Sequence, residues 1–239
     1  MNIPPRILVV IPAFNEADNL PHVLRELATL DPPPDAAVIN DGSSDCTSRA
    51  AFEAGATVVV DLPVNAGLFC AVQTGFRHAY RNGYDIVIQV DADGQHDTSG
   101  IPALVRPIVE EGVDVVIGSR YLGQVEYRMP ILRSVGTRVF GWLTSLAVGQ
   151  PITDTTCGFR AYGPAAIRLL ATDTSYEYRD AVGLVALHRG GFRLKEVPTT
   201  IRSRRSGRSS IGLWHTIVYP FHYLLALSVV LLRDPARKE

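Results

Sequence analysis

Five short apolar runs, "RILVVI", "AAVI", "ATVVVD", "DIVIQV" and "VDVVIGS", recur across the first 120 residues, with helix-patterned or turn-forming segments between them. Strands buried on both faces of a parallel sheet read as continuous apolar runs, and parallel neighbours need a long crossover between them. The β-α-β-α order therefore predicts an α/β fold, with a mostly parallel sheet covered by helices on both faces. Leu20, Val23, Leu24, Leu27 and Leu30 fall on one helical stripe. Ser43 or Ser44 is expected to cap a helix opening near Asp45, and Asn82-Gly83 to stop the helix of "LFCAVQTGFRHAYRNG". "TSGIPALVRPIVEEG" reads as a helix with Pro102 in its first turn and a kink at Pro107. After residue 120 the alternation fades. Helices are expected over 131–148, about 164–171 and 180–189, with "GFRAY" and "FRLKEVP" as two more strands.

Open sheets of this kind bind ligands beyond the carboxyl ends of their strands. The polar endings Pro12 to Glu16, "NDGSSD", "DADGQHD" and "GSRY" should then converge on one edge. No G-x-G-x-x-G follows the first strand and no G-x-x-x-x-G-K-[ST] occurs, which argues against a dinucleotide fold and a P-loop enzyme. Asp41 in "NDGSSD" is placed to accept from a base N–H or a ribose hydroxyl; the alternative is a plain turn and helix cap.

"DADGQHD" carries the chemistry. Residues i and i+2 of an extended segment point the same way, so Asp91 and Asp93 are expected to put two carboxylates into one space. Two such groups stay ionised only near positive charge. A hard divalent cation, Mg²⁺ or Mn²⁺, supplies it and leaves open positions for a diphosphate. Gln95 and His96 would complete or orient the ligand shell. An EF-hand loop fails, because His96 and Pro102 stand where its glycine and closing glutamate belong. A simple acidic turn is the competing reading.

Charge is divided unevenly. Residues 1–150 hold 10 Lys/Arg and 17 Asp/Glu, a net of −7; residues 151–239 hold 13 and 7, a net of +6. The acidic part suits a metal site, the basic part phosphates or an anionic membrane surface. Cys46, Cys70 and Cys157 lack paired or metal-ligand spacing and are read as reduced thiols in a cytosolic setting. The N-terminus does not have the pattern of a signal peptide.

Seven segments in order resemble the inverting family 2 glycosyltransferases of the GT-A fold: "VVIPAFNEADNL", "INDGSSDCT", "NAGLFCAVQTGF", "DADGQHD", "VIGSRY", "DTTCGFRAY" and "VPTTIRSRRSGRSSI". They span roughly residues 7–211. The resemblance is strongest to the branch containing dolichol-phosphate mannosyltransferase and bacterial polyprenyl-phosphate glycosyltransferases. It implies a GT-A, Rossmann-like domain over residues 1–210, in which Pro12, Ala13, Phe14, Glu16 and Asp41 hold the nucleoside, with Asn65 and Gly67 also on the substrate side. Asp91, Ala92, Asp93 and Gln95 would hold the metal and diphosphate. Arg120 and Arg133 would meet phosphates or the acceptor, and Arg160 would belong to the same substrate-binding set. Arg202, with Arg208 in "SGRSS", would form part of a loop closing over the donor. Asp93, Asp154 and Arg120 are the catalytic candidates, Asp154 standing beside the acceptor or else serving as a turn cap. Leu68 occupies a position often filled by Lys in the family, Ser209-Ser210 replaces a Ser-Lys pair, and "TSYEYRDAVGL" replaces a Pro-Glu-rich stretch near the acceptor.

The implied reaction moves a sugar from a nucleotide diphosphate sugar to a polyprenyl phosphate at the cytoplasmic membrane face; transfer to a hydroxyl of a glycan or small molecule is the alternative. A hydroxyl acceptor needs a carboxylate base, whereas a phosphate monoester is already anionic and needs arginines to hold it. A catalytically idle scaffold is the reading outside enzymes. Nucleic-acid binding by "IRSRRSGRSS" is disfavoured, since no recognition helix or aromatic platform accompanies it. The tail, residues 211–239, forms an apolar helix interrupted by His215, Pro220 and His222, with Trp214, Tyr219 and Tyr223 suited to an interface. It is read as interfacial, as buried in a small membrane protein or a homodimer, or as a single span.

Overall fold

The computed structural model describes residues 4–122, 131–173, 181–202, 213–233 and 238, with the side chains of 131–138 and 213–222 outside the description. The chain runs β1 (Ile7–Ala13), α1 (Leu20–Ala28), β2 (Asp35–Asn40), α2 (Thr47–Glu53), β3 (Val58–Asp61), α3 (Leu68–Arg81), β4 (Ile86–Gln89), α4 (Ile101–Glu111), β5 (Val115–Ser119), α5 (Ile131–Val148), β6 (Arg160–Tyr162), α6 (Pro164–Thr172), α7 (Ala181–Arg189), β7 (Leu194–Pro198) and α8 (Leu213–Leu232). The seven strands lie in the order β3-β2-β1-β4-β6-β5-β7. All pairings are parallel except those of β6, which runs antiparallel to both β4 and β5.

That topology sets the site. The order reverses at β1, which has β2 on one side and β4 on the other, so a crevice opens beyond their carboxyl ends. Because β6 runs backwards, the segment that leads into it, residues 154–159, arrives at the edge where the parallel strands end. A three-residue strand thereby delivers the "DTTCGF" motif to the D-x-D loop.

Alternate residues of the strands feed two cores. Leu8, Val10, Ile39, Val87, Val115 and Ile117 pack with α3, α5, α6 and α7 on one face. Val9, Ile11, Val38, Ile88 and Val116 pack with α1 and α4 on the other. Leu20, Val23, Leu24 and Leu27 of α1 are buried as their spacing requires; Leu30 lies past the helix end and is only partly buried. α4 continues through Pro107 to Glu111. The serine cap expected for α2 is not formed. Ser43 and Ser44 instead bond Asn15, and Asp45 Oδ1 accepts from the Thr47 N–H at 3.0 Å. The carboxylate two residues upstream satisfies the free amide, leaving the serines to tie the first two strand ends together.

The outer half of α8 lies along the body. Tyr223, Leu227 and Val230, spaced i, i+4, i+7, are buried. Tyr223 Oη is 3.0 Å from Thr144 Oγ1 of α5, and Arg189 Nη1 of α7 donates to the Val230 carbonyl at 2.6 Å. Beyond it, Lys238 Nζ meets the Asp114 carboxylate at 2.7 Å. Leu225 and Leu232 face outward, 67% and 89% exposed. Among the described residues no helix is long and apolar enough to cross a membrane.

Close packing of α3 on β1 depends on one missing side chain. A Cβ at Gly75 would lie 2.2 Å from Val10 Cγ1 and 2.8 Å from Cγ2. Gly75→Ala is therefore expected to lower the unfolding free energy by about 1–3 kcal/mol, read as a lower urea midpoint at unchanged m.

Candidate active site

The first two strand ends are stitched into one wall. Asn15, at φ 55°, donates its backbone N–H to Ser43 Oγ at 2.9 Å, and its Oδ1 accepts from the Ser44 N–H at 2.9 Å. The Glu16 N–H donates to Thr47 Oγ1 at 3.0 Å, and Glu16 Oε2 accepts from Asn19 Nδ2 at 2.6 Å. Pro12 and Ala13 are buried beneath this wall, while Phe14 is 47% exposed above it. Asp41 is buried. Its Oδ1 accepts from the Ala66 N–H at 2.7 Å and its Oδ2 from the Gly67 N–H at 2.9 Å. The residue expected to meet a base or ribose thus clasps the loop carrying Asn65 and Gly67, just before α3. Asn40 adds a link that its sequence position did not signal, bridging Ser48 and Asp61. Hydrogen bonds from Ser48 and then Asn40 hold the Asp61 carboxyl below its ordinary range.

The D-x-D segment is not extended. β4 ends at Gln89, and Ala92 and Asp93 lie in a turn followed by Gly94 at φ 72°. The alternation expected for Asp91 and Asp93 therefore does not apply; the turn orients them. Asp93 is buried, and its Oδ1 accepts from the Gln95 N–H at 3.0 Å. Asp91 is more open and is gripped by His96. The Asp91 N–H donates to His96 Nδ1 at 3.1 Å, so the ring proton sits on Nε2, 3.6 Å from Asp91 Oδ2. His96 is itself buried and stacked on Phe159, with centroids 5.1 Å apart. On the far side, a Cβ at Gly158 would lie 2.9 Å from Asp91 Oδ1, so only glycine admits the carboxylate there. Among the described residues no group of three or more His, Cys, Asp and Glu is gathered around one point. What the segment offers is two carboxylates and the Gln95 carboxamide, a hard oxygen donor set.

Arg120 and Asp154 form a two-pronged ion pair at this edge. Arg120 Nε donates to Asp154 Oδ2 at 2.6 Å and Nη2 to Oδ1 at 2.7 Å, while the Arg120 N–H adds a third bond to Oδ2 at 3.0 Å. Nη2 also reaches Thr156 Oγ1 at 2.6 Å. Asp154 is fully buried. Burial alone would raise its carboxyl, but the Arg120 hydrogen bonds and charge outweigh that and hold it below the usual carboxylate range. Burial pushes the neighbouring Cys157 thiol up to about 12, which removes it as a nucleophile.

The other arginines divide. Arg160, at the start of β6, is buried and donates to the Cys157 and Thr155 carbonyls at 2.9 and 2.7 Å, bracing the segment from Asp154 to Gly158. Arg202 is expected in a loop closing over the donor. Its Nη1 instead meets Glu26 Oε1 at 2.8 Å and its Nη2 meets Asp97 Oδ1 at 2.9 Å. Two carboxylates claim it, and it pins residues 200–202 to the D-x-D loop through its own N–H to the Gln95 carbonyl. Arg133 lies in α5 with its side chain outside the description, and Arg208 lies outside the described residues.

Replacing Arg120 by Ala strands a buried carboxylate, and stability is expected to fall by about 3–5 kcal/mol. The folded pKa of Asp154 lies below its unfolded value of about 4. Its contribution is therefore present above that pH and lost as pH falls through the folded value. The melting-temperature gap between wild type and Asp154→Asn should hold near neutrality and close below about pH 4; a gap constant into strong acid would contradict the pairing.

A family profile for Glycosyl transferase family 2 matches residues 8–169. The chain is 33% identical over 220 residues to undecaprenyl-phosphate mannosyltransferase of Micrococcus luteus, covering 87% of this chain and 88% of that protein. It is 32% identical over 217 residues to polyprenol monophosphomannose synthase of Mycolicibacterium smegmatis, covering 87% and 81%. Among solved structures, glucosyl-3-phosphoglycerate synthase from Mycobacterium tuberculosis, in complex with Mn²⁺ and UDP-glucose, superposes with a TM-score of 0.70 at 22% identity, covering 95% of this chain and 79% of that one. That likeness extends the GT-A-type architecture over nearly the whole chain. The chain belongs to glycosyl transferase family 2, and its enzyme class is that of a glycosyltransferase.

Proposed function

We propose that the chain transfers one sugar, with inversion, from a nucleotide diphosphate sugar to a polyprenyl phosphate. The observation that carries the acceptor class is the state of Asp154. A hydroxyl acceptor has to lose its proton to a base. Asp154, the candidate carboxylate beside the acceptor, has both oxygens taken by Arg120 and is held ionised, which makes it a poor base. A phosphate monoester needs no base. The Micrococcus and Mycolicibacterium relatives, named for undecaprenyl-phosphate and polyprenol chemistry, support the same reading.

In this reading the acceptor phosphate oxygen attacks the anomeric carbon in line, and the bond from that carbon to the diphosphate breaks with its electron pair leaving on the diphosphate. The wall formed by Phe14, Glu16 and the loop clasped by Asp41 positions the nucleoside. Among the described residues nothing bonds Arg120 Nη1, which would meet the acceptor while Nε and Nη2 stay anchored. Such fixed donors stabilise charge without reorganising at the moment of transfer. Asp91, Asp93 and Gln95 would hold a divalent cation, Mg²⁺ or Mn²⁺, which when bound neutralises charge on the departing diphosphate. Their oxygen donors fit such an ion, and His96 and Gly158 fix the more open of the two carboxylates.

The acceptor is a lipid, and the chain has a surface for one. α8 turns Leu225, Val229 and Leu232 outward, and α5 turns out Val139, Trp142 and Leu146, all about half exposed or more. This face would rest on the headgroup region at the cytoplasmic face of the membrane, with the helix in plane. A second copy or a small membrane protein covering the same face is the alternative.

Labelled nucleotide sugar with Mn²⁺ and a polyprenyl phosphate should yield a product that extracts into organic solvent and is cleaved by mild acid. Asp93→Ala or chelator should reduce its formation about 100-fold or more. Label found only in an acid-stable, water-soluble glycoside would overturn the phosphate acceptor. Leu225→Glu with Val229→Glu should abolish co-sedimentation with anionic vesicles and leave transfer to a short-chain, water-soluble acceptor intact. Undiminished sedimentation would remove this face from the membrane contact.

A further inference from the structure

Glu196, on β7, belongs to none of the motifs above, yet it accepts three hydrogen bonds from the segment that carries Asp154. Its Oε1 takes the Asp154 N–H at 2.7 Å, and its Oε2 takes the Thr153 N–H at 2.8 Å and the Thr153 hydroxyl at 2.9 Å. With its one hydrogen given to Glu196, Thr153 Oγ1 can only accept from Ser119, whose hydroxyl lies 2.7 Å away. Ser119 is fully buried and immediately precedes Arg120. The Glu196 carboxylate thus holds the Asp154 backbone directly and the residue beside Arg120 through Thr153.

Downstream of it, Asp154 takes Arg120 by Nε, Nη2 and the backbone N–H, and Thr156 takes Nη2 again. A guanidinium has five N–H donors in one rigid plane. With Nε and Nη2 fixed, the plane is fixed too, and Nη1 is aimed by Asp154 and Thr156, the first of which Glu196 holds in turn. The geometry points to Glu196 as a positioning residue for acceptor binding. It sets the plane of Arg120, and so the direction from which a phosphate monoester is gripped, through Asp154 and the Thr153–Ser119 link. The inference rests on the phosphate-acceptor reading for what Arg120 touches, but not for the chain of contacts that orients it.

The sign of the effect is fixed by the donor and acceptor inventory. Each Glu196 oxygen faces at least one backbone N–H. Glu196→Gln keeps the shape, yet it must turn an NH₂ toward one of those donors. The backbone at Thr153–Asp154 then shifts, and Arg120 loses its fixed plane. A displacement on this scale far from the reacting atoms costs about 10–100-fold in transfer. It should be seen mainly as a raised KM for the polyprenyl phosphate, with nucleotide and Mn²⁺ affinity at the wild-type value. Thr153→Val, which removes one bond, should shift the same parameter less.

The direct readout is the Arg120 Nε–H resonance, which needs no turnover. In the wild-type chain it should be resolved and slow to exchange because of Asp154. In Glu196→Gln it should exchange faster, and the losses of Glu196→Gln and Arg120→Lys in acceptor kcat/KM should not add. An unchanged resonance, additive losses, or equal weakening of nucleotide and acceptor binding would overturn the proposal. If Glu196→Gln does not fold, Thr153→Val decides by the same resonance and the same KM. A wild-type chain that makes no lipid-linked product while its Arg120 resonance still responds would defeat the acceptor reading alone. A wild-type chain that makes the product while the resonance stays unchanged would defeat this inference alone.

Discussion

The buried pairing of Arg120 with Asp154 is the contact on which this end of the candidate site depends. A fully buried carboxylate is costly unless it is paired and its lone pairs are filled. Here one guanidinium and two backbone N–H groups, those of Arg120 and Thr156, do both. The consequence is chemical as well as structural. A carboxylate held ionised with both oxygens engaged does not take up a proton in the way a general base must. A guanidinium held by Nε and Nη2, with no hydrogen bond to Nη1 among the described residues, would offer the two N–H groups of Nη1 to an anion. A guanidinium locked in one plane presents its remaining N–H groups in a fixed direction, which the ammonium on lysine's flexible stem does not, and a prepaid orientation adds to it.

The rest of the edge can be understood as support for two charged centres brought close by topology. β6 runs against its neighbours, so the loop before it passes between the ends of β4 and β5. One end of that loop carries Asp154, which faces Arg120. The other carries Gly158, which lies against Asp91. Arg160 braces the carbonyls in between. Arg120 and the more open of the D-x-D carboxylates are therefore set relative to each other by a handful of residues, with little slack for either to drift. Arg202 plays a comparable part at the other end of the D-x-D loop, which it ties to α1 through Glu26.

Much of this was legible in the sequence, and the failures have physical causes. The parallel strands announce themselves because burial on both faces leaves no polar alternation, and the convergence of their polar endings follows from topology. The role of β6 is not legible: "RAY" is too short to show a period, and its direction depends on pairings far away in sequence. Asp91 and Asp93 were expected to share a direction as strand residues, but the strand stops at Gln89 and a turn takes over. Asp41 and Arg202 have the composition of ligand contacts, yet both spend their charge on protein groups, and only coordinates reveal such partners. Glu196 was hidden for the opposite reason. In "FRLKEVP" it reads as one polar residue of an edge strand, and its three donors lie more than forty positions away.

The central claim is that the sugar is passed, with inversion, to a phosphate oxygen. The most direct measurement is the NMR spectrum of the product made from a donor carrying ¹³C at the anomeric carbon. The account predicts that this carbon couples to the phosphorus of a lipid phosphodiester and has the anomeric configuration opposite to the donor's. An anomeric carbon without phosphorus coupling, or one that keeps the donor's configuration, would contradict it.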